Sequence, residues 1–498
     1  MKSDKYQFIV FWITALISGL LSLCGSTALN AQEKIFQAGA SISNITPSLG
    51  LEIVGGYNAP IADYVHDQIN VKSIVLWNGD ETLVFVIVDN VAVKREVYDA
   101  AKSMIQNNLK IPAANVLIAA THTHSSVSAG KQGIERRSWQ YGEPLDEYQL
   151  FVAKRIADGV QTAVGNLEPA KIAWGRIDVP EHVFNRRWIM KEPVMSPLGF
   201  WDKAKMNPGV GNSDLVEPAG PIDPEVSFIA LESSEGKPIA VMGNYSLHYV
   251  GGVPRGHLSA DYFAIFGDRM QELLEADRQQ PPFVGIMTNG TSGDINNINW
   301  SGTEREQNAP YEKMRYVAND VAEKVISVYK GLEFHEWVPL RSAQSEITLQ
   351  VRRASPELLE NMEKVRERPH DDKPLFHPLE KIYAERVRIQ EDDWPDQIKI
   401  ILQTFGIGTL GIAAIPFETF AETGLELKQR SPFENTFTIE LANGAYGYLP
   451  TPEQHEVGGY ETWLTTNKVE VNASRKIVLE LMNLFNQVNT VTKSNTTK

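Results

Sequence analysis

Residues 115–125 read NVLIAATHTHS, a short apolar run that ends beside two histidines, His122 and His124. A run of this kind predicts a buried β-strand, and the polar residues after it predict the loop in which α/β proteins often carry their chemistry. Side chains two apart on a strand point to the same side, and neutral imidazole is the commonest metal ligand. The segment therefore predicts half of a metal site. The alternative is a polar turn that happens to carry two of the chain's ten histidines.

Strands and helices alternate on both sides of this segment, which predicts a large single catalytic unit of the α/β class. Strands are expected at 69–77, 82–89, 115–120, 226–232, 238–247, 283–288, 398–404, 409–414 and 436–441. Helices are expected at 94–109, 148–164, 260–275, 311–329 and 476–488. The stretch 180–222 is rich in Pro, Gly, Trp and Met without a period, which favours a binding or lid segment. The highly charged stretch 353–396 predicts helical pieces and an exposed excursion.

Composition and charge indicate a globular protein and argue against one that binds nucleic acid. The chain has 498 residues, 43% hydrophobic and 22% charged, with a net charge of −15. Those values are typical of a globular protein with a large core. Acidic residues are spread along the chain and no basic stripe is present, which argues against nucleic-acid binding.

The N-terminus has the pattern of a targeting segment. Lys2 and Lys5 precede an apolar run at 8–23, followed by small and polar residues at 25–33. This pattern predicts a signal peptide over residues 1–31 and an exported protein, periplasmic or secreted, with a retained N-terminal anchor as the alternative. Cys24, the one cysteine, lies in a distant lipoprotein-like box, but the bulky Leu23 disfavours lipid anchoring. The mature chain would then have no disulfide. We expect residues 491–498 to be disordered and no later segment to cross a membrane.

Polar side chains follow several of the predicted strands at the point where each strand ends. His248 follows one such run, and Glu418 follows another. Each alone is as well explained by an ordinary hydrogen-bonded loop residue. Together with His122 and His124 they form a plausible nitrogen and oxygen ligand set for zinc, although spacing alone does not show that they converge.

Eight motifs occur in order between residues 36 and 465: GASISNITP, GGYNAP followed by VHDQINVKSIVL, ATHTHSS, FNR at 184–186, NYSLH, LSADYFA, IPFETF and YGYLPTPEQHEVGGYE. In this order they resemble the catalytic domain of the neutral (non-lysosomal) ceramidase family. The resemblance implies a catalytic domain of mixed β-sheet layers with helices over residues 35–490. The family usually adds a C-terminal immunoglobulin-like domain, and we expect that domain to be absent because the chain ends about where the catalytic domain would.

The resemblance also implies roles for individual residues. It implies zinc held by His122, His248, Glu418 and Tyr448, and it places His124, Arg186 and Tyr460 around the scissile carbonyl. Such a metal lowers the pKa of bound water and polarises a carbonyl oxygen. His124 would carry the proton to a leaving amine, and Arg186 and Tyr460 would stabilise an oxyanion or bind an acidic group. The alternatives are a packing role for Tyr460 and a structural ion pair for Arg186.

One departure from the family pattern bears on the nucleophile. The family carries Gly-Asp-Val-Ser-Pro-Asn in its substrate pocket, where this chain has GDINNI at 293–298. Asn296 therefore occupies the serine position of that pocket site, and an amide is not a nucleophile. Ser292 lies four residues earlier and should point elsewhere. We therefore expect metal-activated water to be the nucleophile.

The substrate stays open between two enzymatic hypotheses and a third, non-catalytic one. The family default is a ceramide-like N-acyl lipid, which would place the enzyme in sphingolipid metabolism. Asn296 and Asn297, with the Arg, Lys and Trp residues of 180–222, favour instead a polar or anionic substrate such as an acidic saccharide. A binding protein without activity is disfavoured by the retained ligand set. Fold alone does not separate these substrates, and the sequence does not predict an oligomeric state.

Overall fold

Two β-sheets stacked face to face, with helices on their outer faces, form the framework of this computed structural model. It describes residues 34–130, 133, 137–277 and 280–489. The predicted signal peptide, Cys24 and the predicted disordered tail lie outside the described residues. The chain divides into two units between Ile35 and Phe36, and every element below belongs to the second.

The strands, numbered in chain order, include long ones that build the two sheets and short ones that tie loops together. They are β1 (Gln37–Asn44), β2 (Ile53–Val54), β3 (Tyr64–Val65), β4 (Asn70–Trp77), β5 (Thr82–Val88), β6 (Val116–Ala120), β7 (Ser126–Val127), β8 (Glu168–Asp178), β9 (Phe184–Asn185), β10 (Arg187–Met195), β11 (Trp201–Met206), β12 (Leu215–Pro218), β13 (Glu225–Ser233), β14 (Pro238–Tyr245), β15 (His257–Leu258), β16 (Val284–Asn289), β17 (Ile295–Asn296), β18 (Leu340–Gln350), β19 (Gln397–Ile407), β20 (Leu410–Ile415), β21 (Glu418–Thr419), β22 (Asn435–Glu440) and β23 (Tyr448–Leu449).

The α-helices of the described residues are α1 (Arg95–Leu109), α2 (Glu147–Gly165), α3 (Asp261–Leu273), α4 (Glu312–Tyr329), α5 (Pro356–Glu367), α6 (Glu380–Asp393), α7 (Ala421–Arg430), α8 (Pro452–Val457) and α9 (Ala473–Asn489). The larger sheet has eight strands in the order β16-β14-β13-β8-β1-β4-β5-β6, and the smaller has the order β18-β19-β20-β22. Most neighbours are antiparallel, but β14 with β16, β5 with β6, and β20 with β22 are parallel pairs.

The alternation of side chains along β5 explains how the layers form. Leu83, Phe85 and Ile87 point into the core between the two sheets. The intervening residues Val84, Val86 and Val88 point to the other face, which α1 and α2 cover. Because successive side chains of a strand alternate between faces, a strand buried on both sides reads as a continuous apolar run.

Helices cover the outer faces wherever the sheets present apolar side chains. The amphipathic helices α3 and α4 pack on the β13-β14-β16 end of the larger sheet, and α9 packs on the smaller sheet. The start of α2 carries a capping box, in which the Asp146 side chain accepts from the Gln149 amide and the Gln149 side chain accepts from the Asp146 amide. Such a cap satisfies amide groups that the first helical turn leaves without partners.

The α/β class is confirmed, and the expected strands and helices are observed in order, although the long strands β8 and β18 and the helix α7 were not predicted. For example, the strand and helix expected at 82–89 and 94–109 are observed as β5 and α1. The described residues contain no immunoglobulin-like domain. Within the same residues, no helix is both long and apolar enough to cross a bilayer.

Two stretches differ from expectation. The part of 180–222 that showed no period includes a three-stranded antiparallel sheet, β11-β10-β12. Lys203, Lys205 and Trp201 point outward from it, so most of its cations do not line a binding site. The charged stretch 353–396 contains α5 and α6 as expected, but their apolar faces pack together around Met362, Val365 and Tyr383 rather than forming a wholly exposed excursion.

Candidate metal centre and active site

The ends of three strands that belong to parallel pairs meet at one place. His122 lies two residues beyond β6, His248 three residues beyond β14, and Glu418 three residues beyond β20. The three strands do not pair with one another: β6 pairs with β5, β14 with β13 and β16, and β20 with β19 and β22. The loops that follow them place the three side chains within contact distance, although the strands belong to two different sheets.

The backbone at His122 is held in an uncommon conformation. Its φ is 72°, in the left-handed region that few residues other than glycine occupy. The His122 amide donates to the Asn90 carbonyl at 2.9 Å, and the preceding Thr121 amide donates to Val88 at 3.0 Å. Strained residues that the surrounding structure holds in place cluster at functional sites. The turn thus aims the His122 ring away from the strand and toward His248.

Three imidazoles and a carboxylate form a cluster with more acceptors than donors. His122 Nε2 lies 3.0 Å from His248 Nε2 and 3.1 Å from His124 Nε2. The Glu418 carboxylate oxygen Oε2 lies 3.3 Å from His122 Nε2 and 4.0 Å from His248 Nε2. This oxygen is buried and accepts no hydrogen bond from the described residues.

The tautomers of two of these histidines follow from their outer nitrogens. The contact of His122 Nδ1 with the Val91 carbonyl, 2.6 Å, fixes Nδ1 as the protonated donor. His248 Nδ1 donates in the same way to the Ser292 carbonyl at 3.1 Å. When neutral, both rings therefore turn the lone pair of Nε2 toward each other, which is unfavourable unless a cation lies between them. The donor set fits a metal ion, and the described histidines His122, His124 and His248 form a group able to hold one.

Burial keeps two of these rings in the neutral form that binds metals. It lowers the pKa of His248 well below the usual value, and neighbouring His122 and Arg186 lower it further. Burial, His122 and Arg186 likewise lower the pKa of His124 well below its usual value. Burial opposes ionisation of Glu418, but His122, Tyr448 and Arg186 outweigh it and lower the pKa of that carboxyl. The site thus combines neutral imidazoles with an ionised carboxylate.

Tyr448 stands beside Glu418 because the short strands β21 and β23 pair in parallel with these two residues in register. The Tyr448 hydroxyl accepts from Arg186 Nη2 at 3.0 Å. Arg186 also donates to the Gly293 carbonyl and to the buried Glu461 carboxylate, each at 2.9 Å. The ion pair considered as an alternative for Arg186 is therefore present, and it directs the guanidinium toward Tyr448.

A cavity of about 380 Å³ opens over the cluster. Of the residues predicted for the site, six line it: His122, His124, Arg186, Glu418, Tyr448 and Tyr460. Tyr460 makes edge-to-face contacts with Tyr448 and Tyr57 at centroid distances of 5.6 and 6.2 Å. Burial raises the pKa of Tyr460, so its hydroxyl keeps its proton and can donate a hydrogen bond into the cavity.

Asn296 and Ser292 stand outside this lining. The Asn296 amide donates to Asn207 Oδ1 at 3.0 Å, and Asn207 rather than Asn296 reaches the cavity. Ser292 lies behind His248, and its hydroxyl donates to the buried Glu440 carboxylate at 2.8 Å. The structure therefore does not bring Asn296 to the metal cluster, and it places Ser292 in a supporting position.

Several residues of the site were not predicted from the sequence. Tyr249 stacks on the His124 ring at a centroid distance of 3.8 Å and 17°. Glu440 accepts from the Ser292 hydroxyl and the Thr419 amide, and so joins the loops that carry His248 and Glu418. Gly55, at φ 135°, approaches so closely that a Cβ there would lie 2.7 Å from the His124 ring. Two of these residues could have been found from their place in the sequence, because Tyr249 directly follows His248 and Gly55 is the first residue of the GGYNAP motif.

Comparison with known proteins gives one family and a shared fold. A family model described as neutral/alkaline non-lysosomal ceramidase, N-terminal, matches residues 36–313, more than half of the chain. The solved neutral ceramidase from Pseudomonas aeruginosa is 15% identical and has a TM-score of 0.67, covering 91% of this chain and 74% of that one. A structure described as ceramidase complexed with C2 is 14% identical with a TM-score of 0.66, covering 91% and 75%. Identities this low establish the fold alone, and no curated protein sequence matches the chain.

Proposed function

The chain belongs to the neutral/alkaline non-lysosomal ceramidase family, and from this premise we propose that it is an exported, zinc-dependent hydrolase. Its substrate would be a ceramide-like lipid, cleaved at the N-acyl amide bond. The observation that carries the proposal is the convergence of His122, His248 and Glu418, two of which, His122 and Glu418, line a cavity. The predicted signal peptide at residues 1–31 supports export. Neither a nucleic acid nor a membrane span enters the proposal.

We assign the metal to His122, His248, Glu418 and Tyr448. Two imidazoles, a carboxylate and a phenol oxygen are a nitrogen and oxygen set of the kind that zinc accepts in hydrolases. The orphaned Glu418 oxygen and the facing Nε2 lone pairs support a cation at this point. When bound, zinc would supply a Lewis acid and make water acidic enough to attack at neutral pH.

The remaining residues would bind the amide and move its protons. Hydrolysis adds water to the acyl carbonyl carbon, breaks the C–N bond and yields a carboxylate and an amine. His124, kept neutral by burial, would accept a proton from the attacking water and pass it to the departing nitrogen. Tyr460, kept protonated, would donate a hydrogen bond to the carbonyl oxygen as negative charge develops there.

Arg186 would act mainly through Tyr448. Burial raises the pKa of Tyr448 well above its usual value, and Arg186, whose Nη2 donates to the Tyr448 hydroxyl, opposes that shift and so favours the phenol as a ligand. Glu461 fixes the guanidinium in this orientation and also binds Arg187 at 2.9 Å. No serine is the nucleophile in this scheme. The family's serine position is occupied by Asn296, and neither Asn296 nor Ser292 lines the cavity.

The test combines metal content with turnover of an N-acyl sphingosine. Purified full-length protein should contain about one zinc per chain and release fatty acid from the lipid, and Glu418→Ala should abolish the release. His370→Ala is a matched control, because His370 is fully exposed and far from the cluster in sequence. Turnover that persists after complete metal removal would refute the metal mechanism, and no release of fatty acid by metal-loaded protein would refute the substrate.

A further inference from the structure

A buried arginine on α6 forms no salt bridge with any of the residues that the structure describes. The Arg386 side chain is only 7% exposed, and its Nε is buried without a hydrogen-bond partner. Among the described residues its guanidinium contacts only aromatic rings, Tyr383 at 5.0 Å and Tyr57 at 5.4 Å from the centroid. A buried cation without a hydrogen-bonded partner is costly, and stacking on rings recovers only part of that cost.

Three further cations face the same space. A side chamber of about 170 Å³ is lined by Arg386, Lys468, Lys94 and Arg137. Lys468 Nζ lies 4.8 Å over the Trp394 ring. In the part of the chain that the structure describes, neither lysine forms a salt bridge, and no carboxylate lines the chamber.

The chamber opens directly into the cavity of the metal centre. Arg386, Lys468 and Arg137 line both spaces, as do Val54 and Thr465. Their positive charges therefore stand beside the place where the scissile bond would lie. The chamber holds roughly five or six waters, at about 30 Å³ for each, so it suits one small group and not an acyl chain.

The neighbouring positive charges affect the pKa values of the two lysines. Burial lowers the pKa of Lys468 well below its usual value, and Lys94, Arg137 and Arg386 lower it further. Burial also lowers the pKa of Lys94, an effect that the nearby Glu96 opposes and Arg137 reinforces. Enclosing several positive charges in one space destabilises the folded protein. An anion bound there would offset the repulsion and accept hydrogen bonds from the donors that lack a partner.

We propose that this chamber binds a phosphate- or sulfate-like anionic group of the N-acyl substrate. The inference rests on the proposed function, since it gives the amide that the metal centre cleaves a second, charged feature. Arg386 would bind two oxygens of the group with its planar fork, and Lys468 and Lys94 would neutralise its remaining charge. The enzyme would then prefer an anionic N-acyl lipid to an uncharged ceramide.

Binding of inorganic phosphate tests the chamber without catalysis. Metal-loaded full-length protein is titrated calorimetrically with phosphate in a buffer free of other oxyanions. Arg386→Gln and Lys468→Gln should each weaken binding about tenfold or more, because each removes a charged partner of a buried anion. The matched control is Arg388→Gln on the same helix, whose arginine is exposed and paired with Glu385 and Asp392. Phosphate affinity that is unchanged in Arg386→Gln would overturn the proposal.

Folding of the variants is followed by their thermal unfolding. Without phosphate, Arg386→Gln should melt at or above the temperature of the unsubstituted protein, because it removes an uncompensated buried charge. Added phosphate should raise the melting temperature of the unsubstituted protein and much less that of Arg386→Gln. An equal rise in both would place the bound phosphate elsewhere and contradict the assignment.

A matched pair of substrates tests the link to catalysis. Two N-acyl amines that differ only in a phosphate group on the amine part are compared by kcat/KM. The unsubstituted protein and Arg388→Gln should favour the phosphate-bearing compound at least tenfold, and Arg386→Gln should lose that preference. Equal values for the two compounds would overturn the substrate assignment even if free phosphate binds. If neither compound is cleaved, the proposed function fails, while the phosphate titration still decides whether the chamber is an anion site.

Discussion

Replacing Ser292 with alanine separates a supporting serine from a nucleophilic one. The Ser292 hydroxyl donates to Glu440 at 2.8 Å, and both side chains are fully buried. The Ser292 carbonyl, which accepts from His248 Nδ1 at 3.1 Å, belongs to the backbone and is kept by the substitution. Ser292→Ala therefore removes one donor from Glu440 and the 3.3 Å contact of the hydroxyl with His248 Nδ1, but it keeps the backbone carbonyl that orients His248.

The expected cost falls on stability rather than on turnover. Leaving one acceptor of a buried group unsatisfied costs about 1–3 kcal/mol of the free energy of unfolding. Glu440 still accepts from the Thr419 amide at 2.7 Å, which limits the loss. Because Ser292 does not line the cavity, kcat/KM should stay within about tenfold of the unsubstituted value.

The assay measures urea unfolding and amide hydrolysis on the same preparations. Ser327→Ala serves as a control, since Ser327 is exposed on α4 and its hydroxyl bonds only a backbone carbonyl of its own helix. A loss of activity of about a thousandfold or more with metal content intact would refute the reasoning, as would a covalent adduct on any serine.

Further predictions concern the metal, the oxyanion and pH. His122→Ala and His248→Ala should each lose most bound metal by elemental analysis while His370→Ala keeps it, and full occupancy in the first two would be inconsistent with the ligand assignment. Tyr460→Phe should retain metal but lower kcat by about 10²–10³, the effect of losing one oxyanion donor, so an unchanged kcat would return Tyr460 to a packing role. Burial, Arg352 and Arg187 lower the pKa of His455 to about 3. Between that value and about 6.5 the unfolded chain binds a proton that the folded chain does not, so stability should fall as pH falls through this window. His455→Gln should flatten the fall in urea midpoint across this window, and an unchanged slope would exclude His455 as its source.

The sequence predicted the parts of the fold that depend on local pattern. Runs such as TLVFVIV in β5 are buried on both faces, and burial of that kind leaves a continuous apolar signal. The strand-end histidines were found for the same reason, because polar residues stand out where a buried strand ends. The family motifs added Arg186, Tyr448 and Tyr460, which composition alone would not have singled out.

The parts that were missed depend on tertiary packing. Arg386 lies in the highly charged stretch 353–396, and the sequence did not single out Lys468, yet packing of α5, α6 and the loop after Tyr460 encloses both. The strands of the β11-β10-β12 sheet carry many polar and charged residues, so their sequences show no apolar alternation. Of the cations expected to line the site from 180–222, Arg186 does so and most of the others face outward, while Arg137, Arg386 and Lys468 come from elsewhere in the chain.

The central claim is a zinc ion held between the ends of strands from two sheets, and anomalous X-ray diffraction at the zinc absorption edge tests it most directly. Crystals of the full-length protein should give one strong anomalous peak within about 2.0–2.2 Å of His122 Nε2, His248 Nε2 and a Glu418 oxygen. The peak should vanish below the edge and should be absent from crystals of His248→Ala. A map of metal-replete protein with no anomalous peak among these three side chains, or with its only peak elsewhere, would contradict the account.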